Sequence, residues 1–169
     1  MLTARGVFVL ILAACAAESS RSVVPVEAPA SVEGAASWEQ LASGLPGQWV
    51  TTVDGHTIEV SYRRTARDSV LLETWMEGTP AETVSMVHLD GRRLVFTHYC
   101  GQGNQPRLAL TAATGTRHQF ERFDATDLQP GEAALEKLTL GLDGDTLERV
   151  ETYANESETQ ATTMLFQRR

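Results

Sequence analysis

The sequence predicts an all-β domain, an antiparallel sandwich or barrel of about ten strands that follows one short helix. After Gly47 the chain runs in short segments of alternating apolar and polar residues separated by turn residues, which is typical of such folds. Two Asp-Gly pairs, Asp90-Gly91 and Asp143-Gly144, predict tight type I′ hairpins, because Asp and Gly tolerate positive φ. No helix of crossover length separates successive segments, so a parallel sheet is not expected.

The alternation defines the individual strands. They are predicted at 48–53, 57–64, 69–77, 83–89, 92–99, 107–113, 117–123, 135–142, 146–153 and 158–167. The stretch EAALEKLTL begins with good helix formers, but Leu138, Leu140 and Leu142 alternate with other residues. This stretch is therefore assigned to a strand as well.

A short helix is predicted at 38–43, before the first strand. Ser37 is a suitable N-cap, a glutamine follows three residues later as in a capping box, and Gly44 marks the end. Trp38, Leu41 and Leu45 form the apolar stripe of this helix. We expect the stripe to pack against the strands.

Composition and charge limit the possible functions. The chain has 169 residues, of which 42% are hydrophobic and 21% charged, a globular composition sufficient for one domain with one core. Its formal net charge is −8 and its pI is near 5.0. Because binding to a phosphate backbone needs a basic face, the sequence predicts no nucleic-acid partner.

The N-terminal residues MLTARGVFVLILAACAAESS have the layout of a secretory signal. Arg5 precedes an apolar run that is shorter than the about 20 residues needed to span a bilayer. The run ends at Leu12-Ala13-Ala14-Cys15, which resembles the bacterial lipobox. This resemblance implies that residues 1–14 are a signal peptide and that Cys15 carries lipid, which would be the protein's membrane contact. Ala16 resembles the residue found here in outer-membrane lipoproteins, so we expect the outer membrane, facing the periplasm.

Residues 15–36 are expected to form a flexible tether, and residues 37–169 the β-domain. The tether segment is rich in Ser, Ala, Glu and Val and shows neither a helical nor a strand period. If Cys15 is lipidated, Cys100 remains as a lone thiol, for which we expect burial.

Two motifs resemble known barrel proteins. Gly47-Gln48-Trp49, after a helix and before a meander of strands, resembles the opening of the calycin group of lipocalin-like and fatty-acid-binding barrels. The segment VSMVHLDGRRLVFTHYCGQGNQPRL, 84–108, resembles the core signature of uncharacterised exported bacterial proteins with lipocalin-like barrels, in which a THYC...GNQPR segment recurs. The resemblance implies an antiparallel up-and-down calycin-like barrel. Where such proteins often have a His-Met pair, this chain has EAALEKL, and no histidine follows His118.

The histidines do not predict a metal site. If Asp90-Gly91 is a two-residue turn, Leu89 faces Arg92, and His98 shares a face with Ser85 while His88 lies on the opposite face. His88 and His98 therefore cannot hold one metal ion together. The other two histidines lack the close spacing of a zinc motif. We expect no metal and no cofactor.

The candidate ligand-binding residues lie mainly in THYCGQGNQPRL, 97–108, where glycines and a proline indicate an irregular connection at the barrel mouth. They are His98, Cys100, Asn104, Gln105 and Arg107, together with Tyr62 and Trp75 as aromatic residues that would line a cavity. Imidazole, amide and guanidinium groups supply donors that suit an anionic or carbonyl-bearing head group.

Each of these residues also has a structural interpretation. The amides would cap backbone groups of the loop, Arg107 would pair with a strand carboxylate such as Glu73 or Glu121, and the aromatic rings would be ordinary core. Small residues follow Arg107 on its face of the strand and would leave room inside a barrel. Leu108 and Leu110, however, place the large apolar side chains on the opposite face of this strand.

Together these features predict a lipid-anchored periplasmic or cell-surface barrel that binds a small, mostly apolar ligand with a polar or anionic head group. The alternatives are an enzyme that uses His98 as a base or Cys100 as a nucleophile, a haem-binding barrel, and a structural envelope protein. Cα atoms at i and i+2 of a strand are about 6.6 Å apart, a poor distance for a thiol–imidazole pair. The missing C-terminal histidine removes the iron ligand that haem-carrying relatives of the fold use. An enzyme is the less favoured alternative.

Overall fold

The computed structural model describes residues 34–169, which form one helix and ten strands. The helix α1 spans Gly34–Gly44. The strands are β1 Gly47–Val53, β2 His56–Thr65, β3 Val70–Trp75, β4 Thr83–Asp90, β5 Arg93–Tyr99, β6 Gln105–Thr114, β7 Arg117–Thr126, β8 Ala134–Asp143, β9 Thr146–Ala154 and β10 Thr159–Arg168. All ten predicted strands are confirmed.

The strands form a closed antiparallel barrel. Each strand pairs with the next one along the chain, and β1 pairs with β10 to complete the ring. The prediction of an all-β, up-and-down calycin-like barrel is confirmed, and the sandwich alternative is wrong. The closure is short, since β1 and β10 meet through the pairs Trp49↔Arg168 and Val50↔Gln167, whereas β10 pairs with β9 along nearly its whole length.

The tight turns correct one prediction. In the two predicted Asp-Gly turns each aspartate is paired across its hairpin, Asp90 with Arg93 and Asp143 with Thr146. The glycine then takes the first central position with a φ of 60° at Gly91 and 56° at Gly144. A glycine there is the mark of a type II′ turn, so the type I′ prediction is wrong at both sites. A type I′ pattern occurs instead at Asp54-Gly55, where φ is 50° and 79°.

The shifted turn changes the register of the β4–β5 hairpin but not its faces. Leu89 pairs with Leu94 instead of the expected Arg92, a shift of two residues. Because side chains alternate with a period of two, an even shift keeps each residue on its face. Ser85 is therefore opposite His98, as the face assignment required.

Helix α1 covers one end of the barrel, which we call the closed end. The backbone N–H of Gly34 donates to the carbonyl of Arg92 in the β4–β5 turn at 2.9 Å. At the other end of the helix, Arg168 of β10 donates to the carbonyl of Gly44 at 2.6 Å. The opposite end of the barrel, formed by the connections 54–55, 76–82, 100–104, 127–133 and 155–158, is the open end.

The helix is longer than predicted. It begins at Gly34, so Ser37 lies inside it and is buried, and the prediction of Ser37 as the N-cap is wrong. The apolar stripe of Trp38, Leu41 and Leu45 is confirmed, with Leu41 and Leu45 fully buried. Residues 34–36 thus belong to the helix rather than to the tether. The predicted signal peptide, Cys15 and the remaining tether lie outside the described residues.

Large apolar side chains fill much of the interior. Trp49, Phe96, Phe120 and Phe166 are fully buried there. The strand assignment of EAALEKLTL is confirmed, because β8 covers all of it except the first two residues and Leu138 and Leu140 follow the predicted alternation. Within residues 34–169, no helix has the length and apolar character needed to cross a membrane.

Candidate functional site

A set of polar and charged side chains lies in the barrel interior toward the open end. Residues of one parity on β2, β3, β4, β5 and β9 face inward and meet there. We call this set the interior polar cluster: Tyr62, Glu73, Ser85, His98, Arg149, Glu151 and Tyr153. Its members include charged groups removed from water, which are costly to bury without partners. The contacts among them therefore define the candidate site.

An ion pair between Glu73 and Arg149 forms the centre of the cluster. Both side chains are fully buried. Arg149 Nη1 donates to Glu73 Oε2 at 2.6 Å and Nη2 donates to Oε1 at 3.2 Å, a two-point contact between guanidinium and carboxylate. Two more guanidinium N–H groups are used, since Nη1 also reaches the Tyr62 hydroxyl at 3.2 Å and Nε reaches Glu151 Oε1 at 2.7 Å, which makes four of the five.

Aromatic rings surround the guanidinium of Arg149. It lies 4.8 Å from the ring centroid of Trp75 and 5.7 Å from that of Phe96, within the range of cation–π attraction. The indole N–H of Trp75 also donates to Glu73 Oε1 at 3.0 Å. The interior thus binds a cation between carboxylates and aromatic faces.

A chain of hydrogen bonds leads from Glu73 to the open end. The Ser85 hydroxyl lies 2.8 Å from Glu73 Oε1 and 3.0 Å from His98 Nδ1, and the Tyr153 hydroxyl lies 3.3 Å from His98 Nε2. An ionised carboxylate only accepts, so Ser85 donates to Glu73 and must accept from His98 Nδ1–H. His98 Nε2 then accepts from Tyr153. The network fixes the tautomer of a neutral imidazole.

The pKa shifts agree with these protonation states. Burial opposes ionisation of Glu73, but the Arg149 guanidinium and the hydrogen bonds from Tyr62 and Ser85 outweigh it and hold the pKa of Glu73 below its ordinary value. Burial lowers the pKa of His98, which keeps the imidazole neutral. Burial, reinforced by the charge of Glu151, raises the pKa of Tyr153. At neutral pH Glu73 is therefore ionised opposite the Arg149 guanidinium, while His98 and Tyr153 are neutral.

Three of the predicted site residues belong to this arrangement. His98 is 5% exposed and Tyr62 2% exposed, and both are members of the cluster. Trp75 is half-buried and contacts the cluster through Glu73 and Arg149. The structure thus brings together the aromatic and imidazole part of the predicted site.

Arg107 and Gln105 lie on the other face. Leu108 and Leu110 are buried in the core, so the face of Arg107 is the outer face of the barrel, and a position inside it is wrong. Arg107 pairs with Asp124 rather than with Glu73 or Glu121. It also lies over the ring of Phe123, 5.4 Å from the centroid. Both predicted residues line an outer groove of about 370 Å³ that is separate from the interior polar cluster.

Asn104 and Cys100 occupy the β5–β6 connection at the open end. Asn104 is fully buried and its side-chain amide donates to the carbonyl of Ala133 at 3.3 Å, which ties this connection to the one between β7 and β8. Cys100 is half-buried rather than buried as predicted. Both ring nitrogens of His98 have other partners, Ser85 and Tyr153. The geometry therefore does not favour a Cys100–His98 nucleophilic pair.

Sequence reasoning missed the charged centre of the site. Glu73 was considered only as a partner for Arg107, and Arg149, Glu151 and Tyr153 were not identified at all. Arg149 and Glu73 are 76 positions apart, so no local spacing connects them. One signal was available, because Leu147, which is buried, shares its parity on β9 with Arg149. That parity places the guanidinium on the inward face.

His88 and His98 lie on the opposite faces predicted for the β4–β5 hairpin. His98 points inward, whereas His88 lies half-buried on the outer face. Across residues 34–169, no group of three or more His, Cys, Asp or Glu side chains is placed to hold a metal ion. His118 is fully buried, and neither of its ring nitrogens has a hydrogen-bond partner.

Comparison with known proteins adds no family to this description. A scan against protein-family models finds no match, and a search of curated proteins finds no significant similarity. The fold and the interior polar cluster define a closed ten-stranded β-barrel with a polar site near one end.

Proposed function

We propose that the protein is a lipid-anchored barrel of the periplasm or cell surface that binds a small, mostly apolar ligand through a polar head group at its open end. The observation that carries the proposal is the interior polar cluster. A buried ion pair often adds no more stability than apolar residues of similar volume would. A fully buried pair that is linked by hydrogen bonds to half-buried Tyr153 near the open end therefore supports a role in recognition.

The position of the helix is consistent with a ligand site at the open end. Gly34 lies at the closed end, so the preceding chain joins the barrel there. A lipid on Cys15 would therefore attach the barrel to the membrane by its closed end. The tether would therefore leave the open end accessible to a small molecule.

Two variants on opposite faces test the proposal. Native mass spectrometry of the purified protein first identifies a retained small molecule, which is then titrated into His98→Gln and Arg107→Gln. His98→Gln interrupts the hydrogen-bond chain from Ser85 to Tyr153 that orients the polar end of the site, and it should weaken binding about tenfold. Arg107→Gln should bind as the wild type does, since Arg107 lies on the outer face. Equal losses in both variants, or a protein that neither retains nor binds a small molecule, would contradict the proposal.

Acid–base catalysis is a second candidate, which the hydrogen-bond chain favours. Neutral His98 lies between the hydroxyl of Tyr153 and that of Ser85, and Ser85 is bonded to the Glu73 carboxylate. Because Nε2 accepts from Tyr153, a bound hydroxyl would give its proton to the Tyr153 oxygen as the Tyr153 proton passes to Nε2. Incubation of the retained ligand with wild type and His98→Gln, followed by mass analysis, tests this candidate. A wild-type-dependent product supports catalysis, and an unchanged ligand supports binding alone.

A further inference from the structure

The charges at the open end are almost all negative. The five connections there carry seven carboxylates and neither lysine nor arginine: Asp54, Glu77, Glu82, Asp127, Glu132, Glu156 and Glu158. The formal charge of the whole chain is −8, so most of its acidic excess is concentrated at this end. Nearby strands carry Arg107 and Arg122, but these pair with Asp124 and Glu136. Such a rim attracts cations and repels anions.

The interior polar cluster also carries a net negative formal charge. Glu73 and Glu151 contribute two carboxylates against the single guanidinium of Arg149, which leaves a formal charge of −1. Glu73 and Arg149 are fully buried, whereas the side chain of Glu151 remains 14% exposed. Glu151 lies between Arg149 and Tyr153 on the inward face of β9, and Tyr153 is half-buried beside it. The more exposed of the two carboxylates is thus on the side of the cluster that a ligand would reach.

Protein groups already use four of the five N–H donors of Arg149. Its Nη1 and Nη2 bond to Glu73, its Nε bonds to Glu151, and Nη1 also reaches Tyr62. A carboxylate ligand would find only the second N–H of Nη2 and would lie beside the carboxylates of Glu73 and Glu151. A two-point contact would require it to displace one of these glutamates from a buried position, which is strongly unfavourable. The contacts of Arg149 therefore disfavour an anionic head group, which the sequence analysis had allowed.

We propose that the head group of the ligand is a cation, an ammonium or guanidinium group on an apolar body, and that Glu151 is its carboxylate partner. The inference rests on the proposed function and names its ligand class. Trp75 and Tyr153 are half-buried aromatic residues on inward-facing positions near the open end, and Trp75 already lies against the Arg149 guanidinium. Aromatic faces beside a carboxylate are the usual environment for a bound organic cation.

The open end also has room for such a molecule. A cleft of about 670 Å³ lies there, between the β7–β8 and β9–β10 connections. Its lining includes Leu128, Pro130, Glu132, Glu136, Glu156 and one arginine, Arg122. It reaches Ala154, the residue after Tyr153, but is not lined by Glu151 or Trp75. This volume is within the range of small-molecule sites, about 300–1,000 Å³. Arg122 is paired with Glu136, so the acidic side chains exceed the basic one, and together with the apolar residues they suit an amphiphilic cation.

Three probes with the same alkyl chain test the inference. Octyltrimethylammonium, octanoate and 1-octanol are titrated calorimetrically into the purified full chain at about pH 7.5 and low salt. We expect the ammonium probe to bind at least about tenfold more tightly than octanoate, a difference of about 1.4 kcal/mol. Glu151→Gln should reduce ammonium binding about tenfold and leave 1-octanol binding unchanged. The control Glu121→Gln, a carboxylate paired with Lys137 away from the cluster, should change neither.

The outcomes separate the inference from the proposed function. If octanoate binds as tightly as the ammonium probe, or 1-octanol binds while the ammonium probe does not, the cation inference is wrong and the binding function stands. If none of the three probes binds, both are wrong. If Glu151→Gln does not fold, the salt dependence of ammonium binding to the wild-type protein tests the inference instead. Raising NaCl from about 20 to about 300 mM should weaken ammonium binding, and an unchanged affinity would overturn the inference.

Discussion

Removal of one partner from the Glu73–Arg149 pair should destabilise the barrel strongly. In Glu73→Gln the new amide oxygen can still accept from Ser85 and Trp75, but its NH₂ group is a donor facing the donors of Arg149. Removing one partner of a buried ion pair costs about 3–5 kcal/mol. For a domain of this size we expect the Tm to fall by about 10–20 °C.

A double-mutant cycle measures the pair directly. Arg149→Met should cost more than Glu73→Gln, because it leaves both Glu73 and Glu151 without the guanidinium. The combined variant should be more stable than the sum of the single losses predicts, with a coupling energy of about 2–3 kcal/mol. Free energies of unfolding are measured by urea titration, with m-values as the check that all variants unfold in the same way.

The control pair is Lys137 and Glu121, which lie 3.2 Å apart with side chains 53% and 37% exposed. Lys137→Met should cost less than about 1 kcal/mol, because water screens an exposed pair. If Glu73→Gln costs no more than Lys137→Met, or if the cycle shows no coupling, the ion pair does not stabilise the site and the reasoning is refuted.

Three further predictions concern other parts of the chain. Burial lowers the pKa of His118, so below its unfolded value of 6.5 the unfolded chain binds more protons and stability falls as pH decreases. His118→Leu should therefore flatten the dependence of the urea midpoint on pH between about pH 7 and about pH 5, and a dependence as steep as that of the wild type would contradict this prediction. Gly34→Ala places a Cβ 2.6 Å from the backbone N of Leu94 and should cost about 1–3 kcal/mol in a thermal melt; an unchanged Tm would show that the helix does not need this approach. Cys15→Ser should move the protein from the membrane to the soluble fraction or leave it unprocessed, and an unlipidated wild type by intact mass would contradict the anchoring proposal.

The strands could be predicted because their signals are local. Alternation and turn residues recur every few positions, and each strand pairs with its neighbour in sequence. The faces of the β4–β5 hairpin were predicted correctly even though its register was wrong, since the shift was even. The helix start was missed because Gly34 is fixed by a tertiary hydrogen bond to Arg92, which outweighs the local N-cap signal of Ser37.

The candidate site was less accessible to sequence reasoning. His98, Tyr62 and Trp75 were identified from residue type and position on strands, and they do meet the interior polar cluster. Arg107 was placed with them because it is close in sequence, although the leucines beside it already indicated the outer face. The charged centre joins residues far apart in the chain, and burial of a charge follows from three-dimensional pairing rather than from any local pattern.

The short closure between β1 and β10 has a consequence for synthesis of the protein. Nine of the ten strand interfaces join neighbours along the chain, so these hairpins can form as each pair of strands emerges from the ribosome. The tenth joins Trp49 and Val50 to Gln167 and Arg168. Arg168 also bonds to the carbonyls of Pro46 and Gly44, at 2.8 Å and 2.6 Å. The nascent chain therefore cannot complete its barrel until Arg168 has left the exit tunnel, and until then the edge of β1 is available to other strands.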